Sequence, residues 1–107
     1  MTNSKSRTSW RAAMFESRKW KKLVYENCIL LRPIEPLTKA KLVLTRFSSS
    51  EPDFDGLVSG FKHCIDGLKE AKVILDDKPS IVGQPQFFWH KSKKGMGSIK
   101  IEVYEDI

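Results

Sequence analysis

This chain lacks the sequence features that mark several large classes of protein. No apolar run approaches the roughly 20 residues needed to cross a bilayer, and the N-terminus has no apolar stretch typical of a signal peptide. The only cysteines, Cys28 and Cys64, are far apart and form no CxxC pair, so neither a zinc site nor a disulfide framework is predicted. We expect two reduced, buried thiols in a cytoplasmic protein with no membrane partner.

The patterns of several enzyme classes are missing as well. The sequence has no Ser/His/Asp order, no phosphate-binding P-loop and no dinucleotide-binding glycine pattern. His63 and His90 stand in no recognisable catalytic pairing. The charged residues are therefore the informative part of this sequence.

Charge is distributed unevenly along the chain. The 107 residues carry a formal net charge of +6. Residues 1–46 hold 11 Lys or Arg against 3 Glu, a net charge of +8, whereas residues 47–107 hold 8 against 10 Asp or Glu, a net charge of −2. This asymmetry indicates a basic half that meets a polyanion and an acidic site further along.

The apolar pattern predicts one α+β domain over residues 1–107, with two helices packed on a small mixed β-sheet. Residues 1–8 are polar and expected to be flexible. Helices are predicted from Ser9 to about Ile29 and from Gly56 to about Lys72. Strands are predicted over three segments, the last two joined as a hairpin with a basic tip at 91–97: Lys39–Phe47, Ile81–His90 and Ser98–Tyr104.

Two apolar faces define the predicted core. Alternation in the first strand places three residues on one face: Ala40, Leu42 and Leu44. Helical spacing gives the second helix a core stripe of five: Leu57, Phe61, Cys64, Ile65 and Leu68.

Six charged residues stand out within a window of 25 residues: Asp53, Asp55, Lys62, Asp66, Asp76 and Asp77. Asp55 is expected at or near the N-cap of the second helix, with Lys62 and Asp66 on one polar stripe. Asp76 and Asp77 lie in a turn that, in a helix-on-sheet layout, can return to the start of that helix. Each piece alone also has an ordinary explanation as an N-cap, a surface ion pair or a turn.

Carboxylates at this density in a basic protein would repel phosphate unless a divalent cation lay between them. Mg²⁺ prefers oxygen ligands and takes one or two carboxylates together with substrate phosphate. Such ions stabilise the attacking and leaving oxygens in phosphodiester hydrolysis. The sequence therefore predicts a Mg²⁺-dependent enzyme, with Mn²⁺ as the alternative ion, that acts on nucleic acid.

Basic residues supply candidates for contact with nucleic acid: Arg11, Arg18, Lys19, Lys22, Arg46, Lys91, Lys93 and Lys94. A merely solvated surface is the competing interpretation. The aromatic run Phe87–Trp89 could stack in an opened junction, although packing within the core or a dimer is the more common use of such a run.

The run from Asp53 to Leu68, followed by Asp76–Pro79, resembles the RusA-like Holliday-junction resolvases. That family has an Asp-x-Asp-Asn-Leu motif, a helix lysine, an Asp four residues later and an Asp-Asp turn. The basic, Trp-containing first helix and the closing basic segment occur in the family's order. The resemblance covers most of the chain.

The resemblance implies a small homodimeric Mg²⁺-dependent endonuclease that cuts four-way DNA junctions and leaves 5′-phosphate ends, of a kind usually encoded by phages and prophages. Asp53, Asp55 and Asp77 match the family's catalytic, metal-binding carboxylates. Lys62 matches its helix lysine and is expected to be a fourth catalytic residue that assists at the phosphate. Asp66 and Asp76 match acidic positions with less defined roles.

Two departures from the family pattern bear on function. Gly56 stands where the family has Asn, and the family's N-terminal strand is expected to be short or absent before Thr8. The alternative function is thus a catalytically impaired DNA-binding protein of the same fold. A small RNA- or ribosome-associated protein is a third reading, but it gives no reason for the spacing of the charged residues.

Overall fold

The structure, a computed structural model, describes residues 20–29 and 33–106 in full and residues 5–13 as backbone. It confirms the predicted α+β class. The elements in chain order are β1 (Lys5–Ala13), α1 (Trp20–Cys28), β2 (Ala40–Ser48), α2 (Phe54–Glu70), α3 (Pro79–Val82), β3 (Gln86–Lys91) and β4 (Ser98–Glu105).

The four strands form one mixed sheet in the order β1-β4-β2-β3. β4 lies between β1 and β2 and is antiparallel to both, whereas β3 is parallel to β2 at the edge of the sheet. A parallel pair needs a long crossover, and here α2 and α3 lie in the segment that connects β2 to β3. The sheet is therefore mixed because β2 has one parallel and one antiparallel neighbour.

The hydrophobic core lies between one face of the sheet and the helices. Both predicted apolar faces are buried, including Leu42 and Leu44 on β2 and Phe61 on α2. From β4 the core receives three fully buried residues: Ile99, Ile101 and Val103. The period-2 and helical patterns thus identified the inward faces correctly.

Two glycines let α1 approach α2 closely. A Cβ atom at Gly67 would lie 2.6 Å from the carbonyl oxygen of Lys21, and one at Gly60 would lie 2.8 Å from the ring of Trp20. Trp20 is almost fully buried and its ring centroid lies 5.6 Å from that of Phe61. The missing side chain at Gly60 therefore leaves room for the indole, and the one at Gly67 lets the α1 backbone approach α2 at Lys21.

The N-terminal prediction was wrong in the described region. Residues 5–13 form β1, so a strand replaces residues 5–8 of the expected flexible segment and the expected start of a helix at Ser9. Among the described residues, only three of this strand precede Thr8. α1 begins at Trp20 among the described residues. Pairing of this nine-residue strand with β4 satisfies the backbone of the segment and outweighs the weak local helical period.

Two predictions about the C-terminal half also need correction. Ile81 and Val82 belong to the short helix α3, which has Pro79 in its first turn and ends at Gly83, with φ of 58°. β3 and β4 do not form a hairpin, because β2 separates them in the sheet. Residues 92–97 instead form a connection that passes over the end of β2.

Within the described residues, no helix is long and apolar enough to cross a membrane.

Candidate functional site

Asp53 and Asp55 lie at the N-terminus of α2. The N-cap is Asp53 rather than Asp55, and its Oδ1 accepts a hydrogen bond from the backbone N–H of Gly56 at 2.6 Å. Asp55 occupies the first turn and is exposed. The free N–H groups and the dipole at this end of the helix favour carboxylates here, so a pair of accessible carboxylates lies at the start of α2.

Gly56 has a local structural role next to this pair. A Cβ atom at position 56 would lie 2.8 Å from Oδ1 of Asp53. Glycine therefore leaves room for the short capping bond, whereas the Asn of the resembling family would require the Asp53 carboxylate to move.

Asp76 and Asp77 lie near the other end of α2. Oδ1 of Asp76 is 3.2 Å from Nζ of Lys69, and Oδ1 of Asp77 is 3.9 Å from the same nitrogen. The backbone N–H of Asp77 also donates to Oδ1 of Asp76 at 2.7 Å. These bonds, first those from Asp77 and then that from Lys69, hold the pKa of the Asp76 carboxyl below its usual value. The same contact raises the pKa of Lys69.

The two carboxylate pairs are therefore not brought together within one chain. α2 separates them, and its 17 residues span about 25 Å. The expectation that the Asp76–Asp77 turn returns to the start of α2 was wrong, because α2 continues straight to Glu70 and the turn forms beside its last residues. Among the described residues, no three His, Cys, Asp or Glu side chains are grouped as a metal site.

The chemistry of the donors fits a hard cation only in part. The exposed pair Asp53 and Asp55 offers carboxylate oxygens of the kind that Mg²⁺ takes in ones and twos together with phosphate. Asp77 of the same chain does not reach this pair. A three-carboxylate site made by a single chain does not fit this structure.

Lys62 and Asp66 lie along the outer surface of α2, as predicted. Lys62 is exposed, and Asp66 is half-buried one turn further along. Ser59, one turn before Lys62, donates to the carbonyl oxygen of Gly56 at 3.3 Å. This polar stripe connects the two carboxylate pairs along the length of the helix.

The basic connection, defined as residues 91–97, lies at the same end of the sheet as Asp53. β2 and β3 are parallel and end together, with Ser48 opposite Lys91. The backbone N–H of Ser92 donates to the carbonyl oxygen of Ser48 at 2.9 Å, and Nε1 of Trp89 donates to Oγ of Ser48 at 2.8 Å. Residues 49–53 connect Ser48 to the cap of α2, so Asp53 and the basic connection both follow the C-terminal end of the β2–β3 pair. Lys91, Lys93 and Lys94 are exposed there.

The other predicted basic contacts are dispersed. Lys22 is exposed on α1, and Arg11 pairs in register with Lys100 at the β1–β4 boundary. Arg46 is half-buried, with its guanidinium carbon 5.8 Å from the centroid of the Trp20 ring and its Nε buried without a hydrogen-bond partner. Part of the Arg46 side chain thus lies against Trp20 of the core. Arg18 and Lys19 lie outside the described residues.

Lys69 is a residue of this region that the sequence did not single out. Its spacing of three and seven residues from Asp66 and Lys62 puts it on the same polar stripe, which was the available signal. Its contacts with Asp76 and Asp77 show that it balances the charge of the second carboxylate pair.

Comparison with known proteins adds no relative. No family model matches this chain, and no curated protein matches its sequence.

Proposed function

We propose that this protein is a Mg²⁺-dependent, structure-selective endodeoxyribonuclease that acts in the cytoplasm on four-way DNA junctions. The observation that carries the proposal is that the carboxylates Asp53 and Asp55 and the basic connection both follow the C-terminal ends of the parallel strands β2 and β3, at the same end of the sheet. A nuclease needs cation ligands and phosphate contacts side by side. The net charge of +6 favours a polyanionic substrate.

The residues at this end of the sheet have separate roles. Lys91, Lys93 and Lys94 bind backbone phosphates on either side of the bond to be cut, releasing counterions. Asp53 and Asp55 would hold Mg²⁺, which, when bound, activates water and stabilises the leaving oxygen. Lys62 lies about two helical turns from Asp55 and contacts a neighbouring phosphate instead of the reacting one.

In a homodimer, Asp77 of one chain could complete the cation site formed by Asp53 and Asp55 of the other. In a two-fold dimer with the two α2 helices antiparallel, Asp77 of one chain lies beside Asp53 and Asp55 of the other. Exposed apolar side chains at the two ends of α2 support such pairing. Phe54 is 70% exposed at the N-terminal end of α2. Ile34 and Leu75, which are 104% and 53% exposed, line a groove with Lys69 near its C-terminal end. A four-way junction has matching two-fold symmetry.

A catalytically impaired junction-binding protein is the second candidate. The observation in its favour is that the carboxylates do not meet within the described residues of one chain. Gly56, in place of the family's Asn, points the same way. Such a protein would bind DNA through the basic connection but would not hydrolyse phosphodiester bonds.

Cutting of an end-labelled four-way junction in Mg²⁺ separates the two candidates. If the protein is a nuclease, the wild type should make paired, symmetric nicks in the junction and should not cut linear duplex of the same sequence. Asp55→Asn should not nick the junction. Asp55→Asn should still bind the junction, because Asp55 is exposed and does not cap the helix. Junction binding without cutting in either Mg²⁺ or Mn²⁺ would leave the impaired binding protein as the function.

A further inference from the structure

The face of the sheet that points away from the described helices is open and partly aromatic. Residues of β2, β3 and β4 line a shallow groove of about 710 Å³ on it. Phe88 is 45% exposed and His90 is exposed. Phe87, which alternates with them along β3, packs instead against the core on the helix side of the sheet. The lining residues that carry the argument are Phe47, Phe88, His90, Lys91, Lys100 and Glu102.

The register places these rings in adjacent rows. Thr45 is opposite Phe88, and Phe47 is opposite His90. The rings of Phe47 and His90 are stacked, with centroids 5.7 Å apart and an interplanar angle of 26°. The half-buried Phe47 therefore packs beside His90 on the adjacent strand. Phe88, two residues before His90, keeps an exposed ring.

The spacing of Phe88 and His90 suits a flat aromatic ligand. Two residues along a strand are about 6.6 Å apart at the usual rise. The two side chains lie on the same face of β3 and line the same groove, and Phe88 is exposed. An unpaired base that stacks on the Phe88 ring therefore lies beside the imidazole, and every base has a face that permits this contact.

The charges around the groove suit the phosphates that flank such a base. Glu102, the acidic residue of the lining, already accepts a hydrogen bond from the hydroxyl of Tyr104 at 2.7 Å and lies 3.9 Å from Nζ of Lys100. Lys91 lines the groove and leads into the basic connection. A strand that leaves the groove at Lys91 thus reaches Lys93 and Lys94 without a break in positive charge.

We propose that this open face binds single-stranded DNA by stacking an unpaired base on Phe88, beside His90, with the neighbouring phosphates on Lys91 and Lys100. The inference rests on the proposed function only in taking DNA as the partner. It adds a site on the opposite face of the sheet from α2, and this site can hold a base unstacked from the centre of a branched substrate.

The test is fluorescence anisotropy of a labelled oligothymidylate in EDTA, so that no cutting is involved. Phe88→Ala should weaken binding about 5- to 150-fold, which corresponds to the ~1–3 kcal/mol of one stacked base. Phe88→Trp should retain binding, because it keeps a ring. Tyr25→Ala is the matched control: Tyr25 is an exposed aromatic residue on α1 and should bind like wild type when replaced.

Several results would overturn the inference. Unchanged binding by a folded Phe88→Ala, or a loss in Phe88→Trp equal to that in Phe88→Ala, would show that no base stacks there. A dimer in light scattering that Phe88→Ala converts to monomer would show that a second copy covers the face. A different outcome concerns the proposed function alone. If the protein does not cut junctions but Phe88→Ala still weakens oligothymidylate binding, the nuclease proposal is rejected and the base-stacking site is supported.

Discussion

Asp53 offers a prediction in which structure and function separate. Its carboxylate caps α2 through the 2.6 Å bond from the N–H of Gly56, and it is also a proposed cation ligand. Asp53→Ala removes the acceptor, at a cost of about 1 kcal/mol, and a charge at the positive end of the helix, worth about 0.3–1 kcal/mol. Asp53→Asn keeps an oxygen acceptor and loses only the charge. Both variants lose the anionic ligand, so both should lose cutting.

Thermal unfolding followed by circular dichroism measures the structural half of this prediction. One kcal/mol shifts Tm by about 4–8 °C in a domain of roughly this size. We therefore expect Asp53→Ala to melt about 5–16 °C below wild type, and Asp53→Asn to show no more than about half of that decrease. Equal melting temperatures for the two variants would refute the capping role, and active Asp53→Asn would refute the role in cation binding.

Four further predictions concern the core, the carboxylate turn and the basic connection. Gly67→Ala should destabilise the protein by about 1–3 kcal/mol in urea unfolding, since its Cβ would lie 2.6 Å from the Lys21 carbonyl oxygen; unchanged stability would contradict the close helix contact. Burial raises the pKa of the Cys64 thiol, so it should react with a disulfide reagent only on unfolding, and rapid reaction of the native protein would argue against this packing. The Asp77 and Lys69 contacts lower the pKa of Asp76 in the folded state, so the ionised Asp76 carboxylate stabilises the fold above its unfolded pKa, and this stabilisation is lost as pH falls below about 4. The free energy of unfolding of Asp76→Asn should therefore depend less on pH in that range than that of wild type. The same pH dependence in both proteins would count against these contacts. Replacing Lys91, Lys93 and Lys94 by Ala should reduce the salt dependence of duplex binding by a slope of about 0.9 for each phosphate that the variant no longer binds, whereas an unchanged slope would remove these lysines from the interface.

The core of this fold could be predicted from the sequence because its patterns are local. The alternation of Ala40, Leu42 and Leu44 and the helical spacing of Leu57 to Leu68 each give a face that must be buried. Strand order is a different matter. Nothing local to Ser98–Glu105 shows that β4 lies between β1 and β2, and that long-range pairing is what turned residues 5–13 into a strand and removed the expected hairpin.

The candidate site shows the same division. Its residue types followed from charge and spacing, and the position of Asp55 in the first turn of α2 was nearly right. The distance between Asp53 and Asp77 could not be read from the sequence, because it depends on whether the chain reverses after the helix. The contacts of Lys69 with Asp76 and Asp77 fix that turn at the far end instead.

The most direct test of the central claim is junction cutting by mixed dimers. A chain carrying Asp55→Asn and a chain carrying Asp77→Asn are each expected to be inactive alone. If carboxylates from the two ends of α2 act together across a dimer, co-refolding the two variants restores one intact site per mixed dimer and returns nicking of the four-way junction. A mixture that stays inactive beside an active wild type, with mixed dimers demonstrated by light scattering and distinguishable tags, would contradict the account.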